Sequence, residues 1–364
     1  MKIGVLGAGQ LGRMLALAGY PLGFDFVFLD PAREACAAAL GDHLCGDYAD
    51  EQMLERLCAG CELVTYEFEN VPSQAAAFVA ARRPLFPPVA ALVGGQDRLS
   101  EKTLFTRLGI PTPKYRAIDS RDALVAAVAD LGLPAVLKTR RMGYDGKGQA
   151  VLRSGADVDP AWARLGHQPL ILESFVHFDR ELSIIAARSH TGEQAFYPVI
   201  ENVHRDGILR TARPRMNDAQ QNRAEDYAGR VLRAFDYVGV LAFEFFSCHG
   251  ELLANEIAPR VHNSGHWTIE GAECSQFENH LRAIAGLPLG RTQLRGPCAM
   301  VNFIGAAPDL ASIAALPRVH PHLYGKSPKP QRKVGHATAL GDSDAEIERA
   351  LGALQRLADA ADSS

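Results

Sequence analysis

Two glutamates stand inside neighbouring apolar segments near the middle of the chain. Glu244 and Glu256 each interrupt such a segment, and the turn sequence Cys248-His249-Gly250 joins the two segments. A hairpin would bring these carboxylates together, and buried carboxylates repel each other unless a cation lies between them. Mg²⁺ suits such a pair because it binds few carboxylates and completes its octahedron with phosphate oxygens and water. Asn255 offers a further oxygen to such a cation. The alternative to a metal site is that one of the two glutamates faces solvent at a sheet edge.

A glycine-rich segment with several cations follows a short apolar strand pattern. Lys138 lies in that strand, residues 140–148 hold three glycines, two arginines and Lys147, and a second strand pattern begins at Gln149. A P-loop would lead into a helix, so this strand-loop-strand order excludes it. Free backbone N–H groups and lysines neutralise phosphates, so the segment predicts a lid over a triphosphate. A merely tight hairpin is the alternative.

The chain begins with a second glycine pattern, Gly7-Ala8-Gly9-Gln10-Leu11-Gly12. It follows a strand pattern and opens a helix pattern, and Asp30 ends the next strand. This context is typical of dinucleotide binding. The underlying attraction is less selective, because glycines and a helix N-terminus attract any phosphate. Three interpretations stay open: a nicotinamide or flavin site, another phosphate site, or close packing of helix and strand.

Two later segments concentrate cations and polar side chains. Residues 260–267 hold an arginine, two histidines and an asparagine, which favours anion recognition over a polar loop that binds nothing. A zinc site there would need a third ligand in register. Residues 326–336 hold Lys326, Lys329, Arg332 and Lys333 among prolines. They form either a solvated basic loop or a segment that closes over an anionic ligand.

The elements that position these residues change character along the chain. In the first hundred residues strand patterns alternate with helix patterns, which predicts a doubly wound parallel sheet. The strands are expected at 2–6, 24–29 and 63–66, and the helices at 10–18, 32–40 and 51–57. A helix is expected at 121–131 and a strand at 135–139. Later strands, at 181–187, 196–201, 240–247 and 251–257, predict a larger antiparallel unit. We therefore predict an α/β chain with domains at 1–100, 101–178 and 179–364.

Composition narrows the class of protein. The 364 residues are 47% hydrophobic and 22% charged, which excludes disorder as the dominant state. A net charge of −4 leaves no electrostatic footprint for nucleic acid. No apolar run is long enough to cross a bilayer, and the first residues start a strand pattern, so we expect a cytoplasmic protein. The seven cysteines do not form a disulfide scaffold, and the CxxC spacing at 58–61 indicates structural or incidental thiols rather than a zinc or redox site.

Together these segments resemble the ATP-grasp superfamily, and within it the N5-carboxyaminoimidazole ribonucleotide synthetases, the ATP-dependent carboxylases of purine biosynthesis. The resemblance covers nearly the whole chain and is carried by residues 7–14, 65–72, 96–98, 138–149, 173–176, 202–209, 239–246, 255–268 and 332–338. Two small departures are Ala8, where the family usually has glycine, and Val261, where proline is common.

The resemblance implies a reaction. Aminoimidazole ribonucleotide, bicarbonate and ATP would give N5-carboxyaminoimidazole ribonucleotide, ADP and phosphate through carboxyphosphate. Phosphoryl transfer activates bicarbonate, a poor electrophile, so catalysis is mainly positioning and charge neutralisation with water excluded. It also implies a three-domain ATP-grasp fold, ATP and Mg²⁺ as cofactors, and a homodimer acting on small molecules rather than on nucleic acid or membranes.

The resemblance also implies roles for individual residues. ATP would contact Arg98, Lys138, Gly143, Tyr144, Asp145, Gly146, Lys147, Gly148, Gln149, Glu173, Ser174, Phe175, Val176, Glu181, His204, Asn255 and Glu256. Glu244 and Glu256 would hold Mg²⁺. Bicarbonate and carboxyphosphate would contact Arg260, His262, Asn263 and Lys333, while Tyr144 and Asp145 would orient the substrate amine. The ribonucleotide would contact Gly9, Gln10, Leu11, Arg332 and Lys333.

Three alternative functions stay open. An NAD-dependent oxidoreductase would explain residues 7–12 and Asp30 but not the 138–148 segment or the glutamate pair. Another ATP-grasp ligase, such as a formate-dependent transformylase, would share most of these residues. A non-catalytic nucleotide sensor would bind ATP without turnover. The general base for the amine proton is also open among His262, His266 and the leaving phosphate.

Overall fold

The strands of the chain form three sheets. A computed structural model describes residues 1–143 and 147–362. In these residues a four-stranded parallel sheet is followed by a four-stranded antiparallel sheet, the central sheet, and a nine-stranded antiparallel sheet, the large sheet. This arrangement confirms the predicted α/β class, with a parallel sheet first and antiparallel sheets after it. None of the described helices has the length and apolar character needed to span a membrane.

The N-terminal sheet has the order β3-β2-β1-β4 and carries helices on both faces. Its elements are β1 Lys2–Leu6, α1 Gln10–Gly19, β2 Asp25–Asp30, β3 Asp42–Cys45, α2 Glu51–Ala59, β4 Leu63–Tyr66, α3 Ser73–Ala80 and α4 Val89–Gln96. Alternate residues of β1 point to opposite faces. Ile3 and Val5 pack with Leu15 of α1, whereas Leu6 packs with Leu54 of α2. The doubly wound arrangement is therefore confirmed.

The predicted helix over 32–40 is wrong. The chain there forms turns with one 3-10 turn at Ala38–Leu40, and β3 follows. Ala37 is fully buried, and its N–H donates to the carbonyl oxygen of Ala8 at 2.8 Å. This long-range contact beneath the glycine segment outweighs the helix propensity of the alanines.

The central sheet has the order β5-β8-β6-β7. Its elements, with the helix that precedes it, are α5 Arg98–Arg107, β5 Tyr115–Ile118, α6 Arg121–Leu131, β6 Ala135–Thr139, β7 Gln149–Leu152, α7 Val158–Leu165 and β8 Leu170–Ser174. Leu124 of α6 and Ala161 of α7 pack in one core with Leu137 of β6, so both helices cover the same face. The predicted strand at 135–139 and the predicted helix at 121–131 are confirmed.

The large sheet has the order β14-β13-β9-β11-β12-β15-β17-β16, and β10 pairs with β9. Its strands are β9 Arg180–Arg188, β10 Gln194–Phe196, β11 Ile200–Arg205, β12 Ile208–Pro214, β13 Gly239–Cys248, β14 Glu251–Ala258, β15 Cys298–Gly305, β16 Val319–Leu323 and β17 Lys329–Leu340. The helices that pack around it are α8 Gln221–Ala234, α9 Thr268–Gly271, α10 Gln276–Ile284, α11 Leu310–Ala314 and α12 Asp344–Asp362. Residues from 298 onward thus extend the same sheet.

Two expectations for the large sheet need correction. The predicted strand at 196–201 is broken, because β10 ends at Phe196 and β11 begins at Ile200. Pro198 lies in the break, and the buried hydroxyl of Tyr197 donates to the carbonyl oxygen of Cys274 at 2.8 Å. Residues 326–336 are not simply a loop, because β17 begins at Lys329. The pairing of β17 with β15 shifts register there, so residues 330–332 bulge from the ladder.

His280 joins the N-terminal sheet to the large sheet. The Nδ1 atom accepts the N–H of Val240 on β13 at 3.1 Å, so Nε2 carries the proton that bonds Thr65 Oγ1 on β4 at 2.8 Å. Burial lowers the pKa of His280 to about 3. The neutral His280 ring therefore contributes fully to the free energy of unfolding above about pH 6.5, the pKa of histidine in the unfolded chain. This contribution is lost as the pH falls toward 3.

We expect H280Q to be less stable than the parent chain, with a pH-dependent deficit. The difference in the free energy of unfolding should be largest above about pH 6.5 and should shrink by about 1.4 kcal/mol per pH unit below it. Urea unfolding of both proteins from about pH 8 to pH 5 measures this difference. A difference that does not change with pH would contradict a neutral, buried His280.

Candidate active site

A cleft of about 830 Å³ is lined by strand residues of the central and large sheets and by helix and loop residues that flank the N-terminal sheet. It brings together most of the side chains singled out in the sequence: Gln10, Leu11, Arg98, Lys138, Gly143, Lys147, Gln149, Glu181, His204, Glu244, Asn255, Glu256, Arg260, His262, Asn263, Arg332 and Lys333. The described lining does not include Gly9, Gly148, Glu173, Ser174, Phe175 or Val176. Tyr144, Asp145 and Gly146 lie outside the described residues.

The β13–β14 hairpin places the two glutamates side by side. A two-residue turn joins the strands, and both of its residues have positive φ, 49° at His249 and 81° at Gly250, as a type I′ turn requires. Glu244 and Glu256 are direct cross-strand partners. Phe245 pairs with Ala254, so Asn255 is one extra residue on β14 and forms a bulge.

The two carboxylates differ in their neighbours. Burial, together with the facing Glu256, raises the pKa of Glu244 to about 7. Burial also acts to raise the pKa of Glu256, but Arg98 outweighs it and lowers that pKa, and Arg98 Nη1 donates to Glu256 Oε2 at 2.7 Å. The hairpin thus offers one ionised carboxylate and one whose charge is only partly compensated, which is the condition that a bound cation relieves.

The oxygen atoms of this hairpin suit a hard cation. Besides the glutamates, the buried Oδ1 of Asn255 accepts no hydrogen bond from the described residues. Within residues 1–143 and 147–362, no group of three or more histidine, cysteine, aspartate or glutamate side chains could hold a metal ion alone. A cation at the glutamate pair would therefore complete its shell with nucleotide phosphates and water, as Mg²⁺ prefers.

Helix α5 connects this hairpin to the glycine-rich segment of the central sheet. Asp97 caps the helix and accepts from Arg140 at 3.0 Å (Nε) and 2.7 Å (Nη2). The Nη2 atom of Arg98 donates to the carbonyl oxygen of Gly143 at 3.4 Å. Gly148 closes the segment with a φ of 71°, and a Cβ there would lie 2.6 Å from Thr139 Oγ1. Only glycine fits at that position.

The predicted nucleotide residues form two ion pairs on neighbouring strands. Lys138 Nζ donates to Glu173 Oε2 at 2.9 Å, and Glu173 is only 2% exposed. The Glu173 carboxylate therefore faces Lys138 rather than the cleft, and the N–H groups of Ser174 and Phe175 already donate to backbone carbonyl oxygens. Glu181 on β9 contacts His204 on β11, and both side chains line the cleft.

The polar loop after β14 is fixed by contacts to the N-terminal domain and to itself. Arg260 Nε donates to Glu69. Burial acts to raise the pKa of the Glu69 carboxyl, but the charge of Arg260 outweighs burial and lowers that pKa to about 2. Burial, Arg260 and Lys333 hold the pKa of His262 well below its usual range. His262 Nδ1 accepts the N–H of Ser264 at 3.3 Å, so its Nε2–H points toward Glu244 Oε1, 3.2 Å away.

The N–H groups of the first glycine segment already have acceptors within the chain. Gly9 and Gly12 donate to the two carboxylate oxygens of Glu67, the latter at 2.7 Å. Ala8 donates to Asp30 Oδ2 at 2.9 Å. These acidic side chains take the N–H groups that would hold a dinucleotide phosphate, which disfavours the nicotinamide or flavin interpretation.

Three family descriptions match successive parts of the chain. The ribonucleotide synthetase preATP-grasp domain matches residues 1–96, the ATP-grasp domain matches 103–277, and the phosphoribosylaminoimidazole carboxylase C-terminal domain matches 298–350. An N5-carboxyaminoimidazole ribonucleotide synthase from Pseudomonas aeruginosa is 56% identical over 360 residues, covering 99% of this chain and 100% of the relative. This chain belongs to the N5-carboxyaminoimidazole ribonucleotide synthase family.

Solved structures of this synthase family share the whole fold. The N5-carboxyaminoimidazole ribonucleotide synthetase of Thermus thermophilus is 54% identical, with a TM-score of 0.94 over 98% of each chain. The synthase of Aspergillus clavatus, solved with ADP and 5-aminoimidazole ribonucleotide, is 33% identical, with a TM-score of 0.92 over 99% of this chain and 98% of that chain. The resemblance to the ATP-grasp synthetases is thereby confirmed.

Several residues around this synthase cleft were not predicted. Glu67 and Glu69 lie within the 65–72 segment, and Glu101 and Lys102 lie on α5. Glu101 Oε1 accepts the N–H of Ile257 at 2.7 Å, next to Glu256 on β14. The sequence shows four charged residues within 97–102, but only the structure shows that Glu101 and Lys102 are buried. Buried charges are retained only where they have partners.

Proposed function

We propose that this chain carboxylates 5-aminoimidazole ribonucleotide with bicarbonate and ATP, giving N5-carboxyaminoimidazole ribonucleotide, ADP and phosphate in de novo purine biosynthesis. The observation that carries the proposal is one cleft in which a facing glutamate pair, a buried lysine of the central sheet and the cationic start of β17 meet. Identity of 56% to a synthase of that name, over its full length, supports the same reaction.

The nucleotide end of the cleft would hold ATP and Mg²⁺. Arg98, Lys138 and the glycine-rich segment would neutralise the phosphates, and the Glu181–His204 pair would contact the ribose side of the nucleotide. Glu244 and Glu256 would hold Mg²⁺, which supplies positive charge to the phosphoryl oxygens when bound. Arg98 would keep Glu256 ionised and oriented, because its guanidinium already donates to that carboxylate.

The opposite end of the cleft would hold bicarbonate and the ribonucleotide. Arg260, aimed by Glu69, would bind the bicarbonate anion together with Asn263 and Lys333. His262 would contact the same anion through Nε2 once Glu244, the present neighbour of that nitrogen, binds Mg²⁺, because Nδ1 is engaged by Ser264. His266 does not line the cleft within the described residues, so we propose the departing phosphate as the acceptor of the amine proton. Gln10, Leu11 and Arg332 would contact the ribonucleotide.

Location, assembly and domain limits are further parts of the proposal. The substrates are charged small molecules, which supports a cytoplasmic enzyme. We also propose a homodimer, which light scattering of the purified chain tests, and functional domains at 1–100, 101–178 and 179–364.

Release of phosphate from ATP, with each component omitted in turn, tests the proposed reaction. We expect release that requires both bicarbonate and 5-aminoimidazole ribonucleotide. Release that requires formate and glycinamide ribonucleotide would instead identify a transformylase. ATP binding without any release would identify a nucleotide sensor, and saturable NADH binding would favour an oxidoreductase.

A further inference from the structure

Lys102 is a fully buried lysine that lies between the central sheet and the edge strand of the large sheet. Its Nζ atom donates to the carbonyl oxygens of Ala254 at 3.1 Å and Asn255 at 2.8 Å, both on β14. The same atom lies 3.7 Å from Glu173 Oε2 on β8. Lys102 is not among the described residues that line the cleft, so the proposed reaction does not use it as a ligand.

One carboxylate oxygen of Glu173 faces two lysine ammonium groups. Lys138 Nζ lies 2.9 Å from the Oε2 atom that also faces Lys102, whereas the buried Oε1 has no hydrogen-bond partner among the described residues. Burial acts to raise the pKa of Glu173, but Lys102, Lys138 and Arg98 outweigh it and lower that pKa to about 2. Glu173 is therefore ionised only because cations surround it.

Lys138 is the member of this trio that reaches the cleft. It lines the cleft from β6, and its Nζ atom donates to Glu173 Oε2 in this structure. An ammonium that contacts a buried carboxylate and a phosphate together shares one positive charge between two negative groups, so a second cation beside the carboxylate favours the phosphate contact. Lys102 does not turn toward the cleft, because its Nζ atom donates hydrogen bonds to two carbonyl oxygens of β14.

We infer that Lys102 is a positioning residue that keeps Glu173 compensated while Lys138 turns to the nucleotide phosphates. The inference rests on the proposed function to the extent that Lys138 binds a nucleotide. The same ammonium also ties the carbonyl oxygens that precede Glu256 to the central sheet. Lys102 thereby couples the nucleotide lysine to the strand that carries the glutamate pair.

The variant K102M tests the inference through ADP binding, measured by calorimetry without the other substrates. Loss of Lys102 leaves Glu173 with one close lysine, so Lys138 stays on Glu173 and the Kd of ADP rises by about tenfold or more. The exposed Lys114, beside Ser174, provides the matched control, and K114M should change the Kd by less than about twofold. An unchanged Kd in K102M would overturn the inference.

The double variant K102M/E173Q separates this role from simple packing. Without the Glu173 charge nothing competes for Lys138, so the double variant should recover most of the ADP affinity that K102M loses, and E173Q alone completes the cycle. A double variant that binds as weakly as K102M would overturn the inference. If K102M does not fold, the double variant must fold and bind ADP, since its uncompensated carboxylate is gone; failure of both would assign Lys102 to packing.

The two proposals fail in different ways. Recovery of ADP binding in the double variant supports the role of Lys102 even if the parent chain releases no phosphate with 5-aminoimidazole ribonucleotide. Release of phosphate as proposed, without that recovery, leaves the reaction standing and removes Lys102 from it.

Discussion

The variant E256Q is expected to lower ribonucleotide-dependent phosphate release by about a thousandfold or more. Glutamine keeps the shape of the side chain but removes one of two facing carboxylates, so the proposed Mg²⁺ site would lose a ligand and Arg98 loses its charged partner at 2.7 Å. Initial rates over a range of Mg²⁺ concentrations measure the effect. We expect the remaining activity to need a higher Mg²⁺ concentration.

Glu251 provides the matched control for E256Q. It begins the same strand β14, but it is exposed and pairs with Arg223 at 2.6 Å, away from the cleft. E251Q should therefore keep turnover within about twofold of the parent chain, since surface ion pairs contribute little. Turnover of E256Q near the parent value, in a protein with an unchanged unfolding midpoint, would remove Glu256 from the metal site.

The variant K333M is expected to separate ATP hydrolysis from carboxylation. Lys333 lies on β17 where the register with β15 shifts, and its charge acts on Glu244, His204 and His262. Removing that charge should leave ADP affinity within about threefold, because Lys138 and Arg98 keep the phosphates. The ratio of ribonucleotide carboxylated to phosphate released should fall by about tenfold or more, since carboxyphosphate is no longer held for attack.

Parallel assays of phosphate and of ribonucleotide consumption measure this ratio for K333M. The K114M control should keep the parental ratio, because Lys114 is exposed and outside the cleft lining. A K333M protein whose ADP affinity falls while its coupling ratio stays unchanged would place Lys333 at the nucleotide end and contradict the proposed division of the cleft.

The sequence pattern predicts the regular elements well where local and long-range preferences agree. The strands at 2–6, 63–66 and 135–139 and the helix at 121–131 have the predicted bounds. The helix at 32–40 fails because a distant backbone acceptor on Ala8 binds the N–H of Ala37. Local helix propensity cannot predict that hydrogen bond, because it joins segments almost thirty residues apart.

The candidate site is predictable to a similar extent, and for a similar reason. Glu244 and Glu256 stand out because an acid inside an apolar strand needs a partner, and the hairpin supplies one. Glu67 and Lys102 do not stand out, because their partners, the N–H groups of Gly9 and Gly12 and the Glu173 carboxylate, come from distant segments. Such pairs become visible only when the sheets are assembled.

The bulge at Asn255 changes how closely oxygen donors can be spaced along one strand. In a regular strand, side chains on the same face recur every second residue, about 6.8 Å apart. The extra residue shifts the phase of this alternation, so the adjacent Asn255 and Glu256 both line the cleft, whereas the side chain of Ala254 is buried in the core. The separation of neighbouring donors falls to about half, which approaches what a small ion with bonds of about 2.1 Å requires.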